Sequence, residues 1–326
     1  MGPAGDVAVN LKQLEYFVAV SELGSFSKAA VILNIAQPAL SRQVRLLEAD
    51  LRVTLLMRNG RGVVLTEAGQ RLFDHSVGIL QLVSRTREDI EASRDEPAGR
   101  IVVGLPPSMG RLLTLPLVEG FRRALPKARL AIVEGLSAHL AEWISTGRAD
   151  IGLLHNPEPQ PALEVTPVLE EPLGLVSPAK KGDPKPGAAK RGAGKKVSPR
   201  DTATLAELAR LPLILPERTH AMRKLLETQA ALCGHKLNVA LEVSSVQSIL
   251  DLVRAGHGHA LLTPSALAAS GDAAAFRLRP LSEPRLTSTL CLAVSALKPA
   301  TPLSKHVFRM LRELVVATAA AHNKSR

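Results

Sequence analysis

Two arginines on one face of a short amphipathic segment are the first residues whose types and spacing could do chemistry. Leu40, Val44, Leu47 and Leu51 recur at spacings of four, three and four, which predicts a helix with one buried stripe. At about 100° per residue, Pro38, Arg42, Arg45 and Ala49 fall opposite that stripe, with Gln37 and Ser41 at its edge. A face that is small and polar at its start and basic beyond fits a DNA major groove, where arginine can read a guanine edge. The plain alternative is an amphipathic helix with solvated arginines, and taken alone this helix favours that alternative. Downstream, Arg58 and Arg61 flank Asn59-Gly60, the strongest short hairpin signal, and are suited to phosphates beside a groove. The DNA-contacting candidates are Ser27, Gln37, Pro38, Ala39, Ser41, Arg42, Arg45, Arg58 and Arg61.

Three other segments could hold a small molecule. Pro106-Pro107-Ser108-Met109, Pro216-Glu217-Arg218-Thr219-His220 and Ser244-Ser245-Val246-Gln247-Ser248 each open a predicted helix. Free N–H groups and hydroxyls at helix N-termini bind carboxylate, phosphate or sulfate. Arg218 would add a charge-assisted, two-pronged contact. The ligand-side candidates are Pro107, Ser108, Met109, Arg218, Thr219, His220, Ser245, Val246 and Gln247. Any one of these serines or threonines reads equally well as a plain helix cap. All three segments facing one cleft favours a pocket, and its polarity favours a small anionic or strongly polar ligand. Catalytic signatures are missing: there is no G-x-S-x-G, Walker A or H-E-x-x-H. His257-x-His259 lacks further ligands and reads as a helix stop, so neither metal nor cofactor is expected.

Composition bounds these readings. The 326 residues suit two or three domains, and 46% apolar content supplies packed cores. Cys233 and Cys291 lie far apart, which excludes a disulfide scaffold and fits a reducing compartment. The start MGPAGDVAVN has neither a basic region nor an apolar core, so no Sec signal is expected, and no apolar run is long enough to cross a membrane. A formal charge of +11 invites a nucleic-acid reading. Yet residues 1–95 hold 11 Lys/Arg and 11 Asp/Glu, whereas 180–200 hold eight bases against Asp183. The excess is therefore mainly one loop. It reads as a solvated insertion at 178–200, or as a cationic arm touching DNA or RNA polymerase; the insertion is favoured. Aromatics, at 2%, are too few for stacking single-stranded bases.

The elements that must position the candidates follow from pattern. Residues 11–51 read as three helices, Gly24 ending the first and Ser25 or Ser27 capping the second. Short runs at Val53–Leu56 and Val63–Leu65 frame the Asn-Gly turn, and Thr66 caps a long helix. Within it Gly69, Leu72, Ser76, Ile79, Val83, Thr86 and Ile90 form a heptad seam, which requires a partner and predicts a dimer. Asp95–Gly99 reads as a hinge. Beyond it strands and helices alternate, predicting α/β sheets, parallel in the main, in two lobes.

These residues together resemble the LysR-type transcriptional regulators. The match runs through LeuGluTyrPheValAlaVal at 14–20, GlySerPheSerLysAlaAla at 24–30 and GlnProAlaLeuSerArgGlnVal at 37–44. It continues through LeuLeuGlu at 46–48, Leu55-Leu56 with Arg58, and LeuThrGluAlaGly at 65–69. IleAlaGlnProAlaLeuSer, ArgGlyVal and SerValGlnSerIleLeu are similar to the nitrogen-assimilation-control branch. Ala36, Arg52 and Leu56 depart from the usual serine, glycine and phenylalanine. The resemblance implies an N-terminal winged helix-turn-helix (1–66), a dimerisation helix (67–94) and a two-lobed, periplasmic-binding-protein-like α/β effector domain (95–326). Lobe I would take 99–165 and 270–326, lobe II 166–269, with crossings near 156–168 and 263–272. It implies a cytoplasmic, ligand-responsive regulator on an inverted-repeat operator of double-stranded DNA, assembled as a dimer and then a tetramer. The alternatives are a binding protein of periplasmic type without a regulatory role, against which the first 95 residues argue, and an enzyme, which no nucleophile–base arrangement supports.

Overall fold

The computed structural model describes residues 9–60, 62–91, 98–179 and 201–324. Arg61, most of the expected hinge (95–97) and the basic stretch 180–200 lie outside the described residues. The chain divides into two compact units, one of residues 1–99 with 146–149, the other of 100–145 with 150–326.

The first unit is built from α1 (Leu11–Leu23), α2 (Phe26–Ile32), α3 (Gln37–Leu51), the hairpin β1 (Leu56–Asn59) and β2 (Gly62–Leu65), and α4 (Glu67–Glu91). Each boundary has a local cause. Asn10 caps α1 by accepting from the Lys12 N–H, and Gln13 reaches back to the Asn10 N–H. Gly24 ends α1 at φ 58°, and Ser25 accepts from the Lys28 N–H to start α2. α3 opens on Ala36 without a side-chain cap but with Pro38 in its first turn. It ends at Arg52, which takes the left-handed conformation at φ 53° despite its Cβ.

Two apolar clusters join these helices. Leu14 and Phe17 of α1 meet Leu47, Leu55, Leu72 and Phe73, while Val20 packs with Ala29, Ala30, Leu40 and Val44. Leu55 is the joint of the unit. The Glu48 carboxylate accepts from the Leu55 and Leu56 N–H groups at 2.8 and 3.2 Å. That contact holds 53–55 against α3, so the strand begins at Leu56 and not at Val53. The Thr66 hydroxyl donates to the Thr54 carbonyl at 2.8 Å and accepts from the Gly69 N–H, capping α4. Gly69 sits so close to the Leu55 carbonyl that a Cβ would overlap it.

The expected seam on α4 is shorter than its heptad pattern. Gly69 and Leu72 turn into the core and Ser76 is fully buried, because the first turns of α4 complete the winged domain. Beyond them Ile79 and Leu82 are 42% and 47% exposed, and the exposed Thr86 hydroxyl donates to the Leu82 carbonyl. Leu82 was not part of the expected seam. The Ile90 side chain lies outside the described residues.

The second unit runs β3 (Gly99–Leu105), α5 (Pro107–Ala124), β4 (Ala128–Glu134), α6 (Ser137–Thr146), β5 (Ile151–His155), β6 (Leu163–Pro172) and β7 (Gly174–Pro178). It continues with β8 (Ala203–Thr204), α7 (Leu205–Arg210), β9 (Leu213–Leu215), α8 (Ala221–Leu232), β10 (Val239–Glu242) and α9 (Val246–Arg254). β11 (Ala260–Leu262), α10 (Pro264–Ala268), β12 (Phe276–Glu283), β13 (Thr287–Ser295) and α11 (Pro302–Lys324) complete it. α5 runs through Pro116 as one helix.

Lobe I is a sheet of order β4-β3-β5-β13-β6 whose core includes Val103, Leu113, Leu117, Leu153, Leu292 and Leu311. Lobe II carries the sheet β11-β7-β12-β8 and the parallel pair β10-β9. The predicted parallel character holds for β3 with β5 but not throughout. β13 is antiparallel to β5 and β6, and β7 is antiparallel to β11 and β12. The lobe boundaries also move. β6 pairs with β13 in lobe I and β12 pairs with β7 in lobe II, so the crossings lie near 173 and 284–286. β6 was hidden because it carries Pro167 together with Glu164, Glu170 and Glu171, which break an apolar strand pattern. It is an edge strand, where a register shift opposite Leu290 and Cys291 accommodates the proline.

Gly69→Ala is expected to cost about 1–3 kcal/mol, because the added methyl must displace backbone. Arg52→Gly should instead stabilise by up to about 1 kcal/mol by relieving the left-handed residue. Urea unfolding of both variants checks this, and an unchanged midpoint for Gly69→Ala would show that α4 has room at its entry.

Candidate functional sites: a helix face and a cleft

The surface of α3 separates as its pattern requires. Leu40, Val44 and Leu47 are buried, while Pro38, Ala39, Arg42 and Arg45 are exposed and Gln37 is half-buried. Arg45 Nε donates to the Ser41 carbonyl at 3.3 Å, which holds its side chain along the helix. Arg42 makes no hydrogen bond or ion pair among the described residues. Ser41, expected at the edge of this face, is buried at 9% exposure because its short side chain falls on the core side. Ser27 is exposed on α2. Arg58 lies on β1 opposite Val63, with its guanidinium 5.8 Å from the centre of the Phe26 ring.

The second unit contains a cavity of about 890 Å³ between its two lobes. Of the expected ligand-side residues, Pro107, Ser108, His220, Ser245, Val246 and Gln247 line it. Three do not. Met109 is 2% exposed and packs in the core of lobe I, because α5 turns that position toward Leu113 and Leu117. Thr219 is exposed in the turn before α8. Arg218, the expected anion partner, has a 79% exposed side chain that pairs with Glu227 at 3.6 Å, away from the lining.

The arginine that shapes this wall is Arg223, one turn into α8 and 2% exposed. Its guanidinium donates to the Pro216 carbonyl at 3.1 Å and to Glu227 at 2.7 Å, with Glu242 at 3.5 Å. It thus fixes the turn that presents His220. Arg111 of α5 and Gln247 of α9 meet across the cleft at 3.5 Å. Glu134, at the end of β4, also lines the cavity and lies against Gly110. Apart from His155, the remaining polar lining is hydroxyls, including Ser137, Thr263 and Ser288, set among Leu115, Val118, Leu136, Ile249 and Leu262.

His155 was missed by the motif reading. It ends β5 and lies in the lining, and its Nδ1 meets the Ser288 hydroxyl at 3.3 Å. Burial, with the charge of His220 second, lowers its pKa to about 4, so the ring is neutral at physiological pH. Burial likewise lowers the pKa of His220, whose Nδ1 accepts from the Met222 N–H at 3.3 Å. The rule that ligands sit at the carboxyl ends of strands would have found His155, because it directly follows the apolar run 151–154.

Comparison with known proteins places both regions. Residues 11–70 match the bacterial regulatory helix-turn-helix proteins of the lysR family, and residues 94–315 match the LysR substrate binding domain. The chain is 29% identical over 308 residues to the nitrogen assimilation regulatory protein Nac of Klebsiella aerogenes, across 94% of this chain and 95% of that protein. It is 30% identical over 290 residues to the transcriptional regulator BbuR of Bordetella bronchiseptica, across 89% and 85%. Its fold is similar to full-length OxyR from Pseudomonas aeruginosa, with TM-score 0.65 and 24% identity over 94% of each chain. It is also similar to full-length CbnR, a LysR family transcriptional regulator, bound to its target DNA, with TM-score 0.63 and 22% identity over 94% of this chain and 100% of that one.

The two neighbouring arginines are expected to behave oppositely. Arg223→Ala strands the Pro216 carbonyl and should destabilise by about 3 kcal/mol. Arg218→Ala removes only an exposed pair and should change stability by less than about 0.5 kcal/mol. Thermal unfolding of residues 1–326 decides this, and equal losses would mean that Arg218 packs as Arg223 does.

Proposed function

We propose the following for a chain that belongs to the LysR family of bacterial helix-turn-helix regulators. The protein is a transcriptional regulator with an effector-binding domain. Its α3 enters the major groove, with Arg42 reading a base edge and Arg45, Arg58 and Arg61 supporting it through phosphates. The observation that carries this reading is the exposed Arg42, without a hydrogen bond or ion pair among the described residues, opposite a stripe with no exposed member from Leu40 to Leu47. Ser27, Gln37, Pro38 and Ala39 approach the same groove wall. Two copies join through α4 about Ile79 and Leu82, which would otherwise leave adjacent large apolar side chains in water. A tetramer built from two such dimers would span an inverted repeat.

The effector occupies the cleft between the lobes. Arg218 no longer supports an anion there, and the charges of Arg111 and Glu134 offset one another. The lining therefore favours a small molecule with a polar end and an apolar body. The named relatives are regulators, and we read this chain as non-enzymatic. No helix among the described residues is long and apolar enough to cross a membrane, and a regulator of bacterial DNA works in the cytoplasm.

Operator fragments selected from random DNA by the full chain provide the test. Arg42→Ala should lose about 1–3 kcal/mol on the selected site and little on random DNA. Arg58→Ala should weaken both alike and flatten the salt slope by about one unit. Equal losses on both DNAs for Arg42→Ala would reassign it to a phosphate. Ile79→Lys should turn a dimer into a monomer in sedimentation and lower operator affinity although α3 is intact; an unchanged assembly would place the interface elsewhere.

A further inference from the structure

The hydrogen bonds around His220 and His155 bear on where each ring carries its proton. A backbone N–H can only donate, so the Met222 N–H makes His220 Nδ1 an acceptor. A neutral His220 then carries its hydrogen on Nε2. The same logic runs through three residues to His155. The Thr289 N–H donates to Asn156 Oδ1 at 2.8 Å, which turns Asn156 Nδ2 to donate to the Ser288 hydroxyl at 3.4 Å. The Ser288 hydroxyl also meets His155 Nδ1, at 3.3 Å. When its one hydrogen is given there, His155 too is an Nε2–H tautomer. Neither Nε2 has a protein partner among the described residues, and both rings line the cavity, His155 from lobe I and His220 from lobe II.

We infer that His155 and His220 are the specificity-determining residues of the cleft. Their Nε2–H groups, one from each lobe, hydrogen-bond an acceptor oxygen of the effector, a carbonyl, carboxylate or hydroxyl, and reject an ammonium head. This deepens the effector reading above and rests on it. An ammonium at this place would face two N–H hydrogens with no lone pair to meet it, whereas an oxygen satisfies donors that are otherwise without a partner. The apolar residues of the same lining then take the rest of the ligand, and the flanking hydroxyls can complete the coordination of that oxygen.

Ring-nitrogen NMR of the full chain with ¹⁵N-labelled histidine tests this, with His155→Phe and His220→Asn to assign the two rings. Asparagine at 220 keeps a capping side chain for α8. At neutral pH both rings should be neutral with the proton on Nε2. Ser288→Ala, a small change that keeps the fold if His155→Phe does not, should shift the His155 signals toward a mixture of tautomers. The probes are 4-methylpentanoate, its amide, and the corresponding amine. The carboxylate and the amide should move both Nε2 signals in saturable titrations, and the amine should not. His155→Phe should weaken the amide about five- to tenfold. A proton on Nδ1 of either ring, or a response to the amine without one to the acceptors, overturns the inference and leaves the effector cavity standing. Acceptor probes that saturate other cavity signals without moving either ring overturn it equally. If no cavity signal responds to any probe or to a cell extract of small metabolites, the effector reading falls as well.

Discussion

Two hydrogen bonds at the backbone of Leu173 tie together the strands by which the chain passes between the lobes of its ligand-binding unit. The Leu173 N–H donates to the Leu286 carbonyl at 2.8 Å, and its own carbonyl accepts from the Leu281 N–H at 2.9 Å. The outgoing and returning segments therefore act as one hinge, and Leu173 also forms part of the cavity wall. Two residues earlier the buried Glu171 carboxylate accepts from the backbone and hydroxyl of Ser265 at 3.0 and 2.8 Å. That contact anchors α10, whose capping Thr263 and helical Ala266 line the same cavity.

The DNA-binding unit depends on a comparable joint at Leu55. Glu48, Thr66 and Gly69 belong to the motif that carries the family resemblance, yet none of them faces out to meet DNA. Glu48 ties the end of α3 to the start of the wing, Thr66 caps α4, and Gly69 lets α4 lie directly on the Leu55 carbonyl. Their shared effect is to hold the exposed face of α3 at a set angle to the hairpin bearing Arg58. A sequence motif for DNA binding is thus largely a motif for rigid geometry, with few residues left over for contact itself.

Charge illustrates how context overrides residue type. Arg218 and Arg223 are five residues apart and chemically identical, but the turn before α8 leaves the first in water while α8 carries the second into the protein. Burial removes the water that would stabilise the charged forms of the two cleft histidines, which lowers the pKa of both. The bulk charge of +11 accordingly says little about either site, since most of the excess lies in 180–200.

Local pattern by itself determined the helices of the first unit, the Asn-Gly hairpin, the cap at Thr66 and the buried stripe of α3, because these depend on neighbours three or four residues away. It also located Ser108, His220 and Ser245 at helix starts that reach the cleft. Pairing between distant strands decided the rest. The expected boundaries put β12 and all of β6 beyond residue 165 in the wrong lobes, because the strand that pairs with each is distant in the chain and the cost of closing such loops leaves no local signature. The α4 seam lost Gly69 and Leu72 because the winged domain claims the same apolar face first. His155 stood outside every motif. Its surroundings depend on Ser288 and Thr289, which only the β5–β13 pairing brings beside it and Asn156.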